Sequence, residues 1–467
     1  MTSDWMALNV SVPCAESFQR ETEAAVAPDP LAFSVARVLL VAGLIGAPLA
    51  FGAVITWAWM ALGLVACFAL FLWATGSVWQ ARLEFVWSPL YVPLAMFFLL
   101  GLAQYWWQLP LDRFETRQAL VLLGVDLTFF FLAVQLFARA GSRTWGAFGP
   151  TVLLFAGSLG LFAILQVASG TPQIYGAVST PGDAHFGPYV NPDHFAGLME
   201  MLVPVAILYI VGRHRRSSVA ALVSLAAIAT VAVAALLLSG SRGGLIALLA
   251  ETAIVVALLG WGARTAEKRR LAKAVAATIL AAMLLFFWVD SGRASKHLGL
   301  ILNVKSPDWV DKSRKSFALD SLRMWRDHLV LGVGLGNFET AYPGFQSLPT
   351  DLWIDHAHDD YLEAAAEMGL VGAVLILSAL ALFFRLAFQD LRHGLRCEGG
   401  WIRLGAAIGC CGLLVHSFFD FNLHIPANAA WFATLAGLAT TGEQSSNSRQ
   451  SPLRQARAAY QISKPES

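Results

Sequence analysis

Several stretches of this chain place ionisable side chains where they can handle protons and phosphates. Asp355-His356-Ala357-His358-Asp359-Asp360-Tyr361, followed by Glu363, Glu367, Gly369 and Gly372, sets two histidines among carboxylates. A histidine whose tautomer is fixed by a carboxylate can take or align a hydroxyl proton near neutral pH, which is general-base chemistry. The same residue types also suit a divalent metal, through His356 and His358 with Asp355 and Asp359. That spacing is no specific metal signature, and no third histidine cluster is placed to complete a site. Asp360 with Glu363 further reads as a capping pair for the helix that begins here.

Ser239-Gly240-Ser241-Arg242-Gly243-Gly244 carries the one charge between Ser217 and Ala250. A charged side chain costs roughly 2.5–3.5 kcal/mol at the centre of a membrane helix and less near the interface, so Arg242 faces a polar cavity or snorkels to the surface. Glycines beside it allow close approach, and a guanidinium matches phosphate oxygens bidentately. In Asp320-Ser321-Leu322-Arg323-Met324-Trp325-Arg326 the two arginines are three apart and share a helix face, a spacing suited to a diphosphate; the plainer reading pairs Arg323 with Asp320 or Asp327. Leu331-Gly332-Val333-Gly334-Leu335-Gly336-Asn337 looks like a phosphate cradle but lacks the strand–turn–helix setting of one, and reads as a tight turn closing a helix. Two more segments, Phe186 to Phe195 and His416 to Pro426, carry polar residues into helix ends; Asn191 before Pro192 is a helix-start signal. Alone, capping and turn-making explain each. Together they bring polar groups from distant regions to one face, as a cavity-lining site does.

The elements that must position these residues are membrane helices. Of 467 residues 57% are hydrophobic and 13% charged, with a mean hydropathy of +0.61, outside the soluble range. Runs long enough to span a bilayer, about 20 residues each, are expected at 37–54, 55–75, 89–105, 118–138, 146–168, 193–212, 219–239, 243–261, 272–290, 361–384, 401–419 and 426–441. The fold class is therefore an all-α membrane protein of about twelve transmembrane helices. Arg82, Arg139 and Arg143, Arg213 to Arg216, Arg264 to Lys273, and Arg385 to Arg403 all fall in alternate loops, which places those loops and both termini in the cytoplasm. Residues 1–36 read as a cytoplasmic leader without a signal peptide, 37–441 as the polytopic domain, and 442–467 as a disordered cytoplasmic tail. One loop on the opposite side, 291–360, is far longer than the others. Within it Ser313 to Leu331 reads as an amphipathic helix with Phe317, Leu319, Leu322, Trp325 and Leu329 as its apolar positions. None of the five cysteines falls in an outer loop, so no disulfide or Cys metal site is expected there. A formal charge of +1, with basic residues spread as topology markers, gives no nucleic-acid surface.

Six segments in order resemble the O-antigen ligase and O-antigen polymerase superfamily. They are Val190 to Phe195, Ser241 to Gly244, Arg323 with Trp325, Gly332 to Gly336, His358-Asp359 with Gly369-Leu370-Val371-Gly372, and Phe419 to Pro426. Asp359 departs from the pattern, which usually has Asn, Ser or Gln there. The resemblance implies a helical inner-membrane protein with a large periplasmic loop. It also implies transfer of a glycan from a polyprenyl-diphosphate carrier to a lipid, glycan or protein acceptor at the periplasmic face, with no nucleotide sugar, no cofactor and no required metal. On this reading Arg242 and Arg323 neutralise the diphosphate and His358 activates the acceptor hydroxyl. Arg326, His356, Asp359, Asn191 and Asp420 bind diphosphate or glycan. Membrane lipids are the surrounding partners. A protein O-oligosaccharyltransferase is the alternative inside the enzyme class, and a lipid-linked glycan flippase or other transporter the alternative outside it.

Overall fold

The computed structural model describes residues 31–80, 85–138, 140–171, 173–179, 185–214, 216–260, 309–348, 353–389, 395 and 397–441. The long helices in chain order are α1 Leu31–Leu49, α2 Thr56–Trp79, α3 Tyr91–Trp106, α4 Arg113–Phe137, α5 Ser142–Ser169, α6 Pro192–Arg213, α7 Val219–Leu238 and α8 Arg242–Gly260. They continue with α9 Trp309–Asp327, the short α10 Phe338–Ala341, α11 Asp360–Phe388, α12 Glu398–His416 and α13 Pro426–Thr440. Among the described residues the only sheet is a small antiparallel hairpin, β1 Gln173–Ile174 with β2 Val178–Ser179. Eight of the helices (α1, α2, α4, α5, α6, α7, α11 and α12) are long and apolar enough to cross a membrane, so the chain is a multi-pass, all-α membrane protein.

Every expected span except the ninth coincides with a described helix. The ninth, 272–290, lies outside the described residues, as do 1–30, the first part of the long loop up to 308, and the tail 442–467. The first described helix already includes Leu31, upstream of the expected start at Arg37. Arg37 does not end the apolar run, because its Nε donates to the carbonyl of Leu136 near the end of α4 (3.1 Å). A free helix-end carbonyl thus accommodates the charge.

α6 and α12 form the middle of the bundle: 83% of the spanning window of each is buried, against 11% for α11. Small residues set their separation. A Cβ on Gly405 or Gly409 of α12 would come within 2.6 Å of the α6 backbone at Val205 or Met201. The peripheral helices present Met60, Leu64, Phe68, Val374 and Leu377 outward, as lipid-facing surfaces do.

The loop helix α9 differs from expectation in the face it buries. Phe317, Asp320, Ser321 and Met324 point inward, whereas Leu319, Leu322 and Leu329 are exposed. Asp320 is the cause. Its carboxylate accepts from Tyr342 OH (3.1 Å), Ser347 N and Oγ (3.0 Å each) and Arg323 (3.1 Å), so a charged residue takes a core position fully hydrogen-bonded. Burial, reinforced by the Asp320 carboxylate, pushes the Tyr342 hydroxyl above its ordinary range.

The glycine run after α9 is a turn pressed against a break in α11. Gly332, Gly334 and Gly336 all have positive φ, and so does Gly369 inside α11. Val333 N and Gly334 N donate to the carbonyls of Ala366 and Glu367 (3.0 Å each), while Leu370 N donates to Leu329 O (2.8 Å). Gln104 of α3 ties both segments, giving Nε2 to Leu331 O (2.6 Å) and Glu367 O (2.9 Å) and accepting from Leu335 N (3.0 Å). The group that the glycine turn holds is the protein's own carboxyl: Glu367 accepts from Gly336 N and Phe338 N, both at 2.9 Å.

Candidate active site

The site is assembled at the N-terminal end of α11, where a short segment without regular secondary structure, 353–357, leads into His358. Asp359 is the N-cap of α11, accepting from Tyr361 N and Leu362 N at 3.0 Å each. The capping pair expected from sequence was Asp360 with Glu363; those two carboxylates instead turn inward. Burial raises the Asp359 carboxyl pKa, against the pull of its two N–H bonds.

Asp360 and Glu363, both nearly inaccessible, hold two imidazoles. Glu363 Oε1 lies 2.7 Å from His356 Nδ1 and 3.3 Å from His424 Nε2, and its Oε2 accepts from Ala357 N (2.8 Å). Asp360 takes His424 Nδ1 (3.0 Å), Ser417 Oγ (2.7 Å) and Leu423 N (3.3 Å). Burial works against charge on both histidines, but the fields and hydrogen bonds of these carboxylates outweigh it and raise both pKa values.

His358 stands apart from this cluster. Its backbone has φ +53, a left-handed conformation uncommon for a residue with a side chain. Such strain costs about 1–3 kcal/mol and persists only where surrounding contacts over-determine it. Those contacts are present: Nδ1 lies 3.0 Å from Asp420 Oδ1, and the ring stacks on Phe317 of α9 (6.1 Å, 20°) and meets Phe421 edge-on (5.0 Å). Asp420 is 1% exposed, and its other oxygen has His194 Nε2 at 3.6 Å. Burial tends to raise the Asp420 pKa, but the hydrogen bond from His358 and the nearby histidines hold the carboxyl well below the usual range. With a carboxylate at Nδ1, that nitrogen carries the hydrogen and Nε2 of the neutral ring keeps its lone pair. The side chain is 27% exposed, so the ring is not sealed in the interior.

Behind Asp420, His416 at the end of α12 places Nδ1 at 3.1 Å from both carboxylate oxygens of Glu200 in α6, with both side chains fully enclosed. A Cβ on Gly243 would lie 2.4 Å from the His416 ring, so the glycine brings the start of α8 against this pair. Arg242, the first residue of α8, is therefore next to the residue that touches His416, with its side chain exposed. Ser241 Oγ caps the helix by accepting from Gly244 N (3.0 Å).

The other expected residues are distributed unevenly. Asn191 caps α6 through Asp193 N (2.9 Å), with its Nδ2 3.5 Å from His194 Nε2. Arg323 sits on α9, the helix whose Phe317 covers His358, and pairs with Asp320 (3.1 Å) while remaining half exposed. Arg326 pairs with Asp327 and is 75% exposed. At about 100° per residue, Arg326 lies on the opposite side of α9 from Phe317. A cation that sequence reasoning passed over, Arg314, instead reaches Asp193 at the start of α6 (3.6 Å). Glu200, Glu363, His194, His416 and His424 were also not singled out as site residues. The polar run His416 to Pro426 was the one signal for two of them; the partners of His416 and His424 lie far away in sequence.

Two groups of side chains could accommodate a cation by type and proximity among the described residues, His356-Glu363-His424 and Asp193-His416-Asp420. Neither is the set weighed from sequence, His356 and His358 with Asp355 and Asp359.

No curated protein matches the chain. Residues 227–377, which run from α7 to α11 and include Arg242, Arg323 and His358, match the family model described as O-antigen ligase, and this match supports the superfamily that the chain's motifs resemble.

Proposed function

We propose that the protein transfers a glycan from a polyprenyl-diphosphate carrier to an acceptor hydroxyl at the periplasmic face of a bacterial inner membrane. The O-antigen ligase match points to glycosyl transfer in surface-polysaccharide biosynthesis. The observation that carries the mechanism is the strained, partly accessible His358 with Nδ1 on buried Asp420. His358 Nε2 accepts the proton of the acceptor hydroxyl as its oxygen bonds to the anomeric carbon. The bond from that carbon to the diphosphate breaks, and its electron pair leaves on the carrier. One displacement inverts the anomeric centre and needs no metal. Arg242, at the helix N-terminus beside His416, and Arg323, on the helix covering His358, neutralise the charge that grows on the diphosphate.

The test is purified protein in detergent with lipid-linked glycan and candidate acceptors. There is then no membrane to cross, so formation of glycosylated acceptor supports the enzyme, and its absence with every acceptor class supports a transporter. Arg242→Ala and Arg323→Ala are each expected to lower transfer by about 10²–10³-fold, the usual loss when a preorganised charge partner of the transition state is removed. Normal transfer by both variants would show that the diphosphate is held elsewhere. Arg326→Ala, on the outward side of α9, is the comparison substitution.

A further inference from the structure

We infer that His356, Glu363 and His424 form a binding site for one divalent transition-metal ion of borderline softness, such as Zn²⁺, separate from the chemistry proposed for His358. The donor set is two imidazole nitrogens and a carboxylate oxygen, the set such ions take in three-ligand sites with a fourth position open. The distances fit. Donors arranged tetrahedrally at about 2.0–2.1 Å from an ion lie about 3.3 Å apart. Here Glu363 Oε1 is 2.7 Å from His356 Nδ1 and 3.3 Å from His424 Nε2, and the three ligand atoms all lie within 4.8 Å of one another.

The surroundings of these ligands are independent support. Metal-bound histidines characteristically pass their second ring N–H to a carboxylate, and ligating carboxylates are themselves hydrogen-bonded. His424 does so through Nδ1 to Asp360 Oδ1 (3.0 Å), and Asp360 is fixed in turn by Ser417 Oγ (2.7 Å). The free oxygen of Glu363 is fixed by Ala357 N (2.8 Å). Asp360 and Glu363 are both buried, at 4% and 1% exposed, and call for two positive charges nearby. One divalent ion between neutral imidazoles supplies them without holding two imidazolium rings, whose centroids are 4.8 Å apart, side by side. The His side chains are 24% and 33% exposed, so the group lies at the surface of the protein, where a water can take the fourth position. The ion would tie together the segment leading into His358, the first turns of α11 and the short helix Asn422–His424.

The experiment uses the full chain in detergent, without a histidine tag, stripped with a chelator and titrated with Co²⁺ and then Zn²⁺. One equivalent of Co²⁺ is expected to give the visible bands of a tetrahedral site, to be displaced by Zn²⁺, and to raise the melting temperature in a concentration-dependent way. His424→Gln and His356→Gln should each weaken binding at least tenfold, and Asp360→Asn about 10–100-fold, as for other residues that orient ligands. His328→Gln, away from the cluster, should bind as the parent does. No saturable binding to the parent chain overturns the inference, and that result depends on no variant folding. Binding that is unchanged in His424→Gln also overturns it, by assigning the ion to the Asp193-His416-Asp420 group or to the surface.

Discussion

Replacing His358 by Ala is expected to lower the rate of glycan transfer about 10²–10⁴-fold, the usual contribution of a positioned general base. Donor binding should change little, because the ring acts on the acceptor hydroxyl and not on the diphosphate. The deficit should therefore lie in kcat, with KM for the lipid-linked donor close to that of the parent enzyme. Asp420→Asn tests the geometry more finely. An amide keeps the size of the side chain but can donate to His358 Nδ1, 3.0 Å away, and so favours the tautomer with its hydrogen on Nε2. The ring then stays in place with its lone pair turned from the acceptor. Asp420→Asn is thus expected to resemble His358→Ala in rate while retaining the parent melting temperature within a few degrees. If His358→Ala transfers glycan at the parent rate, the base lies elsewhere. If Asp420→Asn is fully active while His358→Ala is dead, the carboxylate does not set the tautomer.

Much of the architecture was legible because bilayer thickness sets helix length, and the apolar runs obey it. The spans at 193–212 and 219–239 were found to within a residue or two, one marked by Asn191 before Pro192 and the other by its unbroken apolar run. The errors lie where a charge is satisfied by something distant. Arg37 looked like a boundary because its acceptor, Leu136 O, is 99 residues away. Asp320 looked like a surface partner for Arg323, yet its burial depends on Tyr342 and Ser347, in a turn no periodicity announces.

The site was legible in outline and not in its pairings. The stretch around His358 stood out because two histidines among four acids are unusual beside an apolar helix. Which acid serves which histidine is a matter of three-dimensional register. His358 reaches past its own neighbours to Asp420, 62 residues on, while His356 folds back to Glu363. His416 and Glu200 are 216 residues apart and meet only because α6 and α12 pack closely over small residues. Arg314 illustrates the converse. Its charge was visible, but nothing local distinguished it from Lys312 or Lys315 until α9 was placed over the start of α6.

The contact between Gly332 and Gly369 carries the largest expected effect on stability. Each glycine sits where the other segment's backbone passes. A Cβ on Gly332 would lie 2.2 Å from Glu367 O, and one on Gly369 would lie 2.3 Å from Val330 O. Neither position tolerates a side chain on conformational grounds either. Gly332 has φ +71, and Gly369 has φ +65 with ψ −163, a region essentially reserved for glycine. Strain of about 1–3 kcal/mol and overpacking of about 1–3 kcal/mol give an expected loss of about 2–6 kcal/mol for either alanine substitution. Gly46→Ala in α1 and Gly146→Ala in α5 are the controls, since nothing lies within 4 Å of a Cβ there and helix propensity favours alanine by about 1 kcal/mol. The two damaging substitutions push apart the same pair of segments, so once one has separated them the second should cost only its own backbone strain. The double variant is therefore expected to be less destabilised than the sum of the singles, by 0.5–3 kcal/mol as is typical of residues in contact. Because Glu367 spans this junction to hold Gly336 N and Phe338 N, separating it also loosens the turn that follows α9. Survival of folded protein on heating in detergent measures each variant. Parent-like survival of Gly369→Ala, or strict additivity in the double variant, would mean that the turn and the break in α11 are not in mutual contact.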